Sequence, residues 1–396
     1  MVRMNKVTQR FSVALVTGAL LVVAGNVRAQ QFFSLDDVRG DDDGGGTLLY
    51  PNRPDLQKGD LDLVRLSAEQ RADGIWFIAE MGQPIRSPEG RVTEIGQVPV
   101  DRLARNGFYT FNLDIYVDKD RVAGLGQTDA LPGRGVTVDR QFAWEKCIVL
   151  TPRPETARTM LQVYFDRVFE ADLRAKQGKI SKQEFEALQS NSEAHVNELY
   201  FFPNKVRVSG RKIEFQVPTE FLGGAPSPSW GYTAVVTAAD LEQAAQPGQL
   251  NPDKATMMAM GVGPGLRSDL WGIRSDTDSG TPPVIDLLAT DPNTQPGVLA
   301  DYDTVAGRLA AVPGIAPDGK AAVAPTGVTL TMEQAARLET ATPAGKAPAV
   351  GAAATPSSTE RRAVPARLRT LNQLLEEGLI TQAEYDELRR KILAEL

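Results

Sequence analysis

The stretch YTFNLDIYVD, residues 109–118, alternates apolar and polar side chains from Phe111 onward. Phe111, Leu113, Ile115 and Val117 fall on one side of an extended chain, while Asn112, Asp114 and Asp118 fall on the other. Period two is the mark of a strand with one covered face. Four further runs have the same character: GIWFIAEM (74–81), KVRVSG (205–210), KIEFQVP (212–218) and GYTAVVTA (231–238). All are short and rich in β-branched and aromatic residues, and Gly, Pro, Asn and Asp separate them. That spacing predicts a mainly β domain over residues 30–313, an antiparallel sandwich whose two sheets bury their inner faces against each other.

Two segments depart from the β pattern. Residues 154–191, beginning PETARTMLQVYFDRVF, place Leu161, Tyr164, Phe165, Val168 and Phe169 at helical spacing. They read as a helical hairpin inserted between strands. The segment RLRTLNQLLEEGLITQAEYDELRRKILAEL reads as a second hairpin, over 364–396. Its first helix carries Leu368, Leu371, Leu374 and Leu375, and Gly378 ends it. Leu379 and Ile380 form the turn, Thr381 and Glu384 form a capping box, and Tyr385 and Leu388 continue the apolar stripe. GKISKQEFEAL (178–188) and GLITQAEYDEL (378–388) share the same turn chemistry. Between 314 and 363 the chain is rich in Ala, Pro, Thr and Gly. Too little apolar bulk is present there to offset ordering entropy, so a flexible linker is expected.

The chain opens with basic residues, an apolar run from Phe11 to Ala24, and Val27-Arg28-Ala29. This is the pattern of a secretory signal cleaved after Ala29, so a periplasmic or extracellular product is expected. The apolar run is too short for a typical membrane span. Removing four basic residues shifts the formal charge from −7 to about −11, with 39 basic against 50 acidic residues. An acidic chain repels nucleic acid and favours cations. Cys147 is the only cysteine, so no internal disulfide can form. His195 is the only histidine, which excludes zinc sites built on several imidazoles. No motif marks a catalytic group, and a non-enzymatic role is expected.

Candidate ligand-binding residues fall in two groups. Around GDDDGGG and GDLDL, the carboxylates of Asp37, Asp41, Asp42, Asp43, Asp60 and Asp62 can supply the hard oxygens that calcium takes. An EF-hand count from Asp41 puts Gly46 at position six but Asn52 at twelve, where a bidentate Glu belongs, so that motif is not met. A solvated acidic turn is the competing reading. For sugar rings, an aromatic platform is the usual device. Trp76 and Trp144 lie inside apolar runs and read as core. Trp230 and Trp271 adjoin Gly- and Pro-rich turns and are the platform candidates.

FSLDDVRGDDDGGGTLLYP with GDLDLVRL, then LDIYVD, LPGRGV, WGYTAVVTA and PPVIDLLA…DYD, resembles the C-terminal domain of glucodextranases and amylopullulanases over about residues 33–302. That resemblance implies an Ig-like or DOMON-like β-sandwich acting as a non-catalytic accessory module at the cell envelope, with a glycan or polysaccharide as ligand. A scaffold that binds another protein is the rival reading. Some DOMON-like sandwiches hold haem, and His195 would then be the axial ligand. LNQLLEEGLITQAEYDELRRKIL is similar to the SHOCT-type short helical hairpin. The resemblance implies self-association, and a hairpin this small needs a partner for its apolar face.

Overall fold

The computed structural model describes residues 30–89, 94–95, 98–175, 191–242, 256–274 and 280–324. Ten strands make its two main sheets. In chain order they are β1 Gln30–Asp36, β2 Leu63–Arg71, β3 Gly74–Met81, β4 Phe111–Asp118 and β5 Lys146–Leu150. Then come β6 Tyr200–Phe201, β7 Val206–Ser209, β8 Lys212–Val217, β9 Gly231–Ala238 and β10 Asp286–Leu287. The first sheet has the order β1-β2-β3-β8-β7 and is antiparallel throughout. The second has the order β6-β5-β4-β9-β10, antiparallel except for the parallel β6–β5 edge. The fold is mainly β, as the strand pattern predicts.

Phe33, Phe77 and Phe215 from the first sheet meet Leu113, Ile115, Tyr232 and Val236 from the second in one buried cluster. Each such side chain contributes roughly 1.5–3 kcal/mol on burial. The alternation in β4 predicts one covered face, yet all eight residues of β4, and all eight of β9, are buried. The reason is a second cluster on the far side of the second sheet. There Tyr116, Cys147, Val149 and Val235 pack against Trp144, Leu161 and Val312. Two helices supply part of that cover, α1 Pro154–Ala175 and α2 Asn191–Leu199. The predicted rhythm holds where it is described: Leu161 is buried, and Tyr164 and Phe165 pack against the same cluster. The helical stretch runs past residue 191 to Leu199 and passes directly into β6.

Burying both faces of β4 leaves its polar alternates with no water, and the chain itself supplies their partners, Asn112 Oδ1 alone among these side-chain atoms having none. Asn112 Nδ2 donates to Thr237 Oγ1 and to the Met258 carbonyl. Asp114 and Arg134 form a fully buried pair, with Arg134 Nε 2.5 Å from Asp114 Oδ2. Arg134 Nη1 also donates to the carbonyls of Thr256 and Met257, holding a turn in which Met257 and Met258 have positive φ.

The outer face of the first sheet remains polar, with Arg71 bidentate to Glu214 at 2.9 Å. Trp76 lies on this side beneath the cations of Arg71, Lys205 and Arg207, fully buried but in neither main cluster. The expected linker starts at 314, but the chain stays docked beyond that point. Ile315 pairs with Tyr232, and the Val323 N–H donates to the Arg121 carbonyl at 2.7 Å. Backbone hydrogen bonds fix residues 315–323, and the rest of the expected linker, from 325 to 363, lies outside the described residues. The signal segment 1–29, both copies of the echoed turn and the C-terminal hairpin, including Leu368 to Leu388, lie outside the described residues. Among the described residues no helix is long and apolar enough to cross a membrane.

Candidate functional site

The end of β1, the glycine-rich loop after it, the entry to β2 and the start of β10 meet at one edge of the sandwich. Gly44 turns the loop with φ +63°, and its N–H donates to the Ile285 carbonyl at 2.9 Å. A Cβ there would lie 2.9 Å from the Val284 carbonyl oxygen, so only glycine fits so close to β10. Gln295, fully buried, stitches the loop from below by donating to the carbonyls of Asp41 and Gly44.

This packing brings one carboxylate oxygen each from Asp41, Asp62 and Asp286 within 4.8 Å of one another. Asp286 is fully buried; its Oδ2 accepts from the Leu63 N–H at 2.5 Å and its Oδ1 from the Leu287 N–H at 2.8 Å. Asp37 borders the trio. Its Oδ1 accepts from the Val38 and Ala289 N–H groups, while its Oδ2 has no hydrogen-bond partner. Asp62 is 4 % exposed, with Oδ1 unpartnered, and both oxygens of Asp41 are unpartnered as well. Burial pushes the Asp37 carboxyl up to about 8 and the Asp41 carboxyl up to about 6, with the neighbouring aspartates adding to both rises. Burial, then the charges of Asp37 and Asp41, hold Asp286 well above the ordinary carboxylate range. Asp62 is raised by burial.

The other three expected calcium ligands divide differently. Asp42 lies deep in the same loop, fully buried. Its Oδ2 accepts from the Tyr50 hydroxyl and from the Gly59 N–H, and its Oδ1 is unpartnered. Asp60 is not part of the group, because its Oδ2 accepts from Arg86 Nε at 2.8 Å and from the Gln57 N–H. Asp43 forms a partly exposed ion pair with Lys58 at 3.7 Å. Sequence reading missed Asp286 and Gln295. The one available signal for Asp286 is an acid standing alone in the apolar run PPVIDLLA.

A second acidic trio, Asp118, Asp120 and Glu145, also gathers its oxygens within 4.8 Å. Here Arg121 supplies positive charge from within, donating to both oxygens of Asp118 at 2.7 Å from its backbone N–H and Nη1. The two tryptophans proposed as sugar platforms also separate. Trp271 is fully buried in the main core, edge-on to Tyr50, so no ring face is open to a ligand. Being next to a glycine-rich turn placed it wrongly, since the short strand Trp271–Ile273 pairs inward with Leu48 and Leu49. Trp230 is half-buried against the core, with Lys119 Nζ 5.4 Å from its ring centroid. His195 sits on α2 with its ring 4.6 Å from that of Phe165. A haem on His195 would need a second axial ligand, and Met81 and Met160 are buried in two different clusters.

One polar cleft of about 430 Å³ opens between the short helix Val100–Leu103 and the start of α1. Arg102, Arg105 and Arg153 line it together with Asn106, Glu155 and Asn204. Arg102 and Arg105 are exposed and unpaired among the described residues, while Arg153 Nη1 donates to the Leu241 carbonyl at 2.7 Å. Burial, and then the nearby Arg105 charge, act to lower the Arg153 guanidinium, and Asp240 opposes them.

A family model described as the C-terminal binding-module, SLH-like, of glucodextranase matches residues 32–314. A second, described as a short C-terminal domain (SHOCT), matches residues 366–393. No curated protein matches the chain. The larger match is to a binding module rather than to a catalytic domain.

Proposed function

We propose that this chain, which belongs to the family of C-terminal, SLH-like binding modules of glucodextranase, holds a glycan or polysaccharide at the cell envelope and does no chemistry on it. The observation that carries this reading is the family match over nearly the whole sandwich. An N-terminal segment with the character of an export signal supports the location. The arginine-lined cleft is the surface we assign to the ligand. Guanidinium groups bind carboxylates and paired hydroxyls through two parallel hydrogen bonds, so three of them favour an acidic polysaccharide. Leu103 and Pro154, at the same cleft, offer apolar contact to the carbon face of a sugar.

Retention of the purified chain on immobilised acidic and neutral polysaccharides tests this. Binding to an acidic polymer is expected. In the Arg102→Ala/Arg105→Ala double variant it falls by at least about tenfold, since each lost charge-assisted contact is worth roughly 1.5–3 kcal/mol. Both arginines are exposed, so the melting temperature stays put. A chain that binds no polysaccharide rejects the reading and turns attention to a protein partner. We assign the short C-terminal domain to self-association, because a segment of about thirty residues buries too little surface to be stable alone. Deleting residues 364–396 then lowers the mass measured by light scattering and leaves the near-UV signal of the sandwich intact. Loss of that signal counts against the assignment.

A further inference from the structure

We propose that Asp41, Asp62 and Asp286, with Asp37 bordering them, bind one calcium ion that fastens the two sheets together at the β1/β10 edge. Two oxygens on a single calcium, each 2.3–2.6 Å from it, can lie no more than about 5 Å apart. The oxygens of Asp41, Asp62 and Asp286 meet that limit pairwise. An acidic cluster alone does not make a site, but here the carboxylates are aimed inward with nothing to receive them. Asp62 is 96 % buried, from its 4 % exposure, and its Oδ2 is held beside Gly82 while Oδ1 has no hydrogen-bond partner. Asp37 is 9 % exposed and leaves Oδ2 unpartnered after Oδ1 is taken by two backbone N–H groups.

Among the described residues, no Lys or Arg forms an ion pair with any of the four. Buried polar groups in folded proteins are almost always satisfied, and buried charges are paired or bound to metal. Four aspartates with hard oxygens and no nitrogen or sulfur donor select calcium or magnesium over zinc. Calcium is favoured because it accepts an irregular, all-protein shell, whereas magnesium holds its waters and asks for near-ideal octahedral geometry. The ligands come from the end of β1, the loop, the entry to β2 and β10, so the ion joins the first sheet to the second. Tyr50 and Trp271 stack edge-on near this loop, and Tyr50 donates to the adjacent Asp42. That pair gives a lanthanide probe an aromatic sensitiser.

The test uses the full chain stripped with a chelator and then titrated with calcium chloride, magnesium chloride or terbium chloride. Calorimetry is expected to show one calcium per chain, and saturating calcium raises the melting temperature by about 5 °C or more. Terbium gains emission on excitation of tyrosine and tryptophan, and calcium displaces it. Asp286→Asn removes a group that accepts two backbone N–H bonds and can fail to fold. Asp41→Asn is therefore the deciding variant, since both of its oxygens are free of protein partners. It weakens calcium affinity at least about tenfold while the stripped protein melts no lower than the stripped parent. The proposal is overturned by any one of three results: no calcium heat with an unchanged melting temperature, an equal response to magnesium, or an Asp41→Asn chain that binds calcium like the parent. None of these depends on a glycan, so failure of the proposed function and failure of this site are separable.

Discussion

Two of the places where the sandwich buries carboxylates treat them differently. On β4, Asp114 faces the fully buried Arg134, and nearby Asp118 is gripped by Arg121, so each acid meets a guanidinium from the same chain. At the β1/β10 edge, Asp37, Asp41, Asp62 and Asp286 crowd together with no such partner among the described residues. Taking a charge out of water costs several kcal/mol, and the cost is offset only by an opposite charge in good geometry. On β4 that charge is written into the sequence. At the edge the chain supplies none among the described residues, and on our proposal a calcium ion provides it, so stability there should depend on calcium in the medium while that of the Asp114–Arg134 pair should not.

The largest test of this contrast is Arg134→Met. It keeps the apolar volume but strands Asp114 in a dry site and frees the carbonyls of Thr256 and Met257. We expect a loss of about 3–5 kcal/mol in urea unfolding, with or without calcium. Adding Asp114→Asn should recover part of that loss. No recovery would mean that the turn at Met257 and Met258, not the charge, is what Arg134 holds. A smaller effect is expected from Gly82→Ala. Its new Cβ would fall 2.2 Å from Asp62 Oδ2 and 2.8 Å from Asp62 Cγ, so the carboxylate must move. We expect a cost of about 1–3 kcal/mol, together with loss of calcium-dependent stabilisation. Gly297→Ala is the control, because nothing lies within 4 Å of the atom it adds.

The same contrast separates what the sequence reveals from what it hides. Strand placement follows from period two and turn residues alone: GIWFIAEM and GYTAVVTA match β3 and β9 residue for residue. Which face of a strand meets a second layer is not local information. The polar side of β4 therefore reads as solvated, although helices and strands from distant parts of the chain cover it. The aspartate-rich loop draws notice because its acids are adjacent in sequence. Adjacency overcounts, including Asp43 and Asp60, which find Lys58 and Arg86, and it overlooks Asp286, 223 residues from the Leu63 N–H it accepts. Trp271 fails as a platform for a related reason. Neighbouring glycines signal a turn, and a turn can lead inward as readily as out.

The subtlest prediction concerns Glu145, which stands between the two regimes. Its Oε2 accepts from the Lys119 N–H at 2.7 Å, but its Oε1 is inaccessible and unpartnered, since Arg121 is committed to Asp118. Burial pushes its carboxyl up to about 8, with the Asp120 and Asp118 charges adding to the rise and the Lys119 hydrogen bond and charge opposing it. An acid raised in the folded state holds its proton more tightly there than in the unfolded chain. Between about pH 4.5 and 8 the native state therefore binds the extra proton, and stability from this group falls as pH climbs through that window. Asp118, pushed up to about 6 mainly by burial, adds a slope of the same sign over the lower part. Glu145→Gln removes the titration, so its unfolding free energy should be flatter with pH than that of the parent. At pH 8 the variant should be more stable by about 1–2 kcal/mol. Saturating calcium throughout keeps the edge aspartates from contributing a slope of their own. Parallel pH profiles for variant and parent would show Glu145 to be ionised and solvated, and the boundary between internally and externally neutralised acids would then run on the other side of this residue.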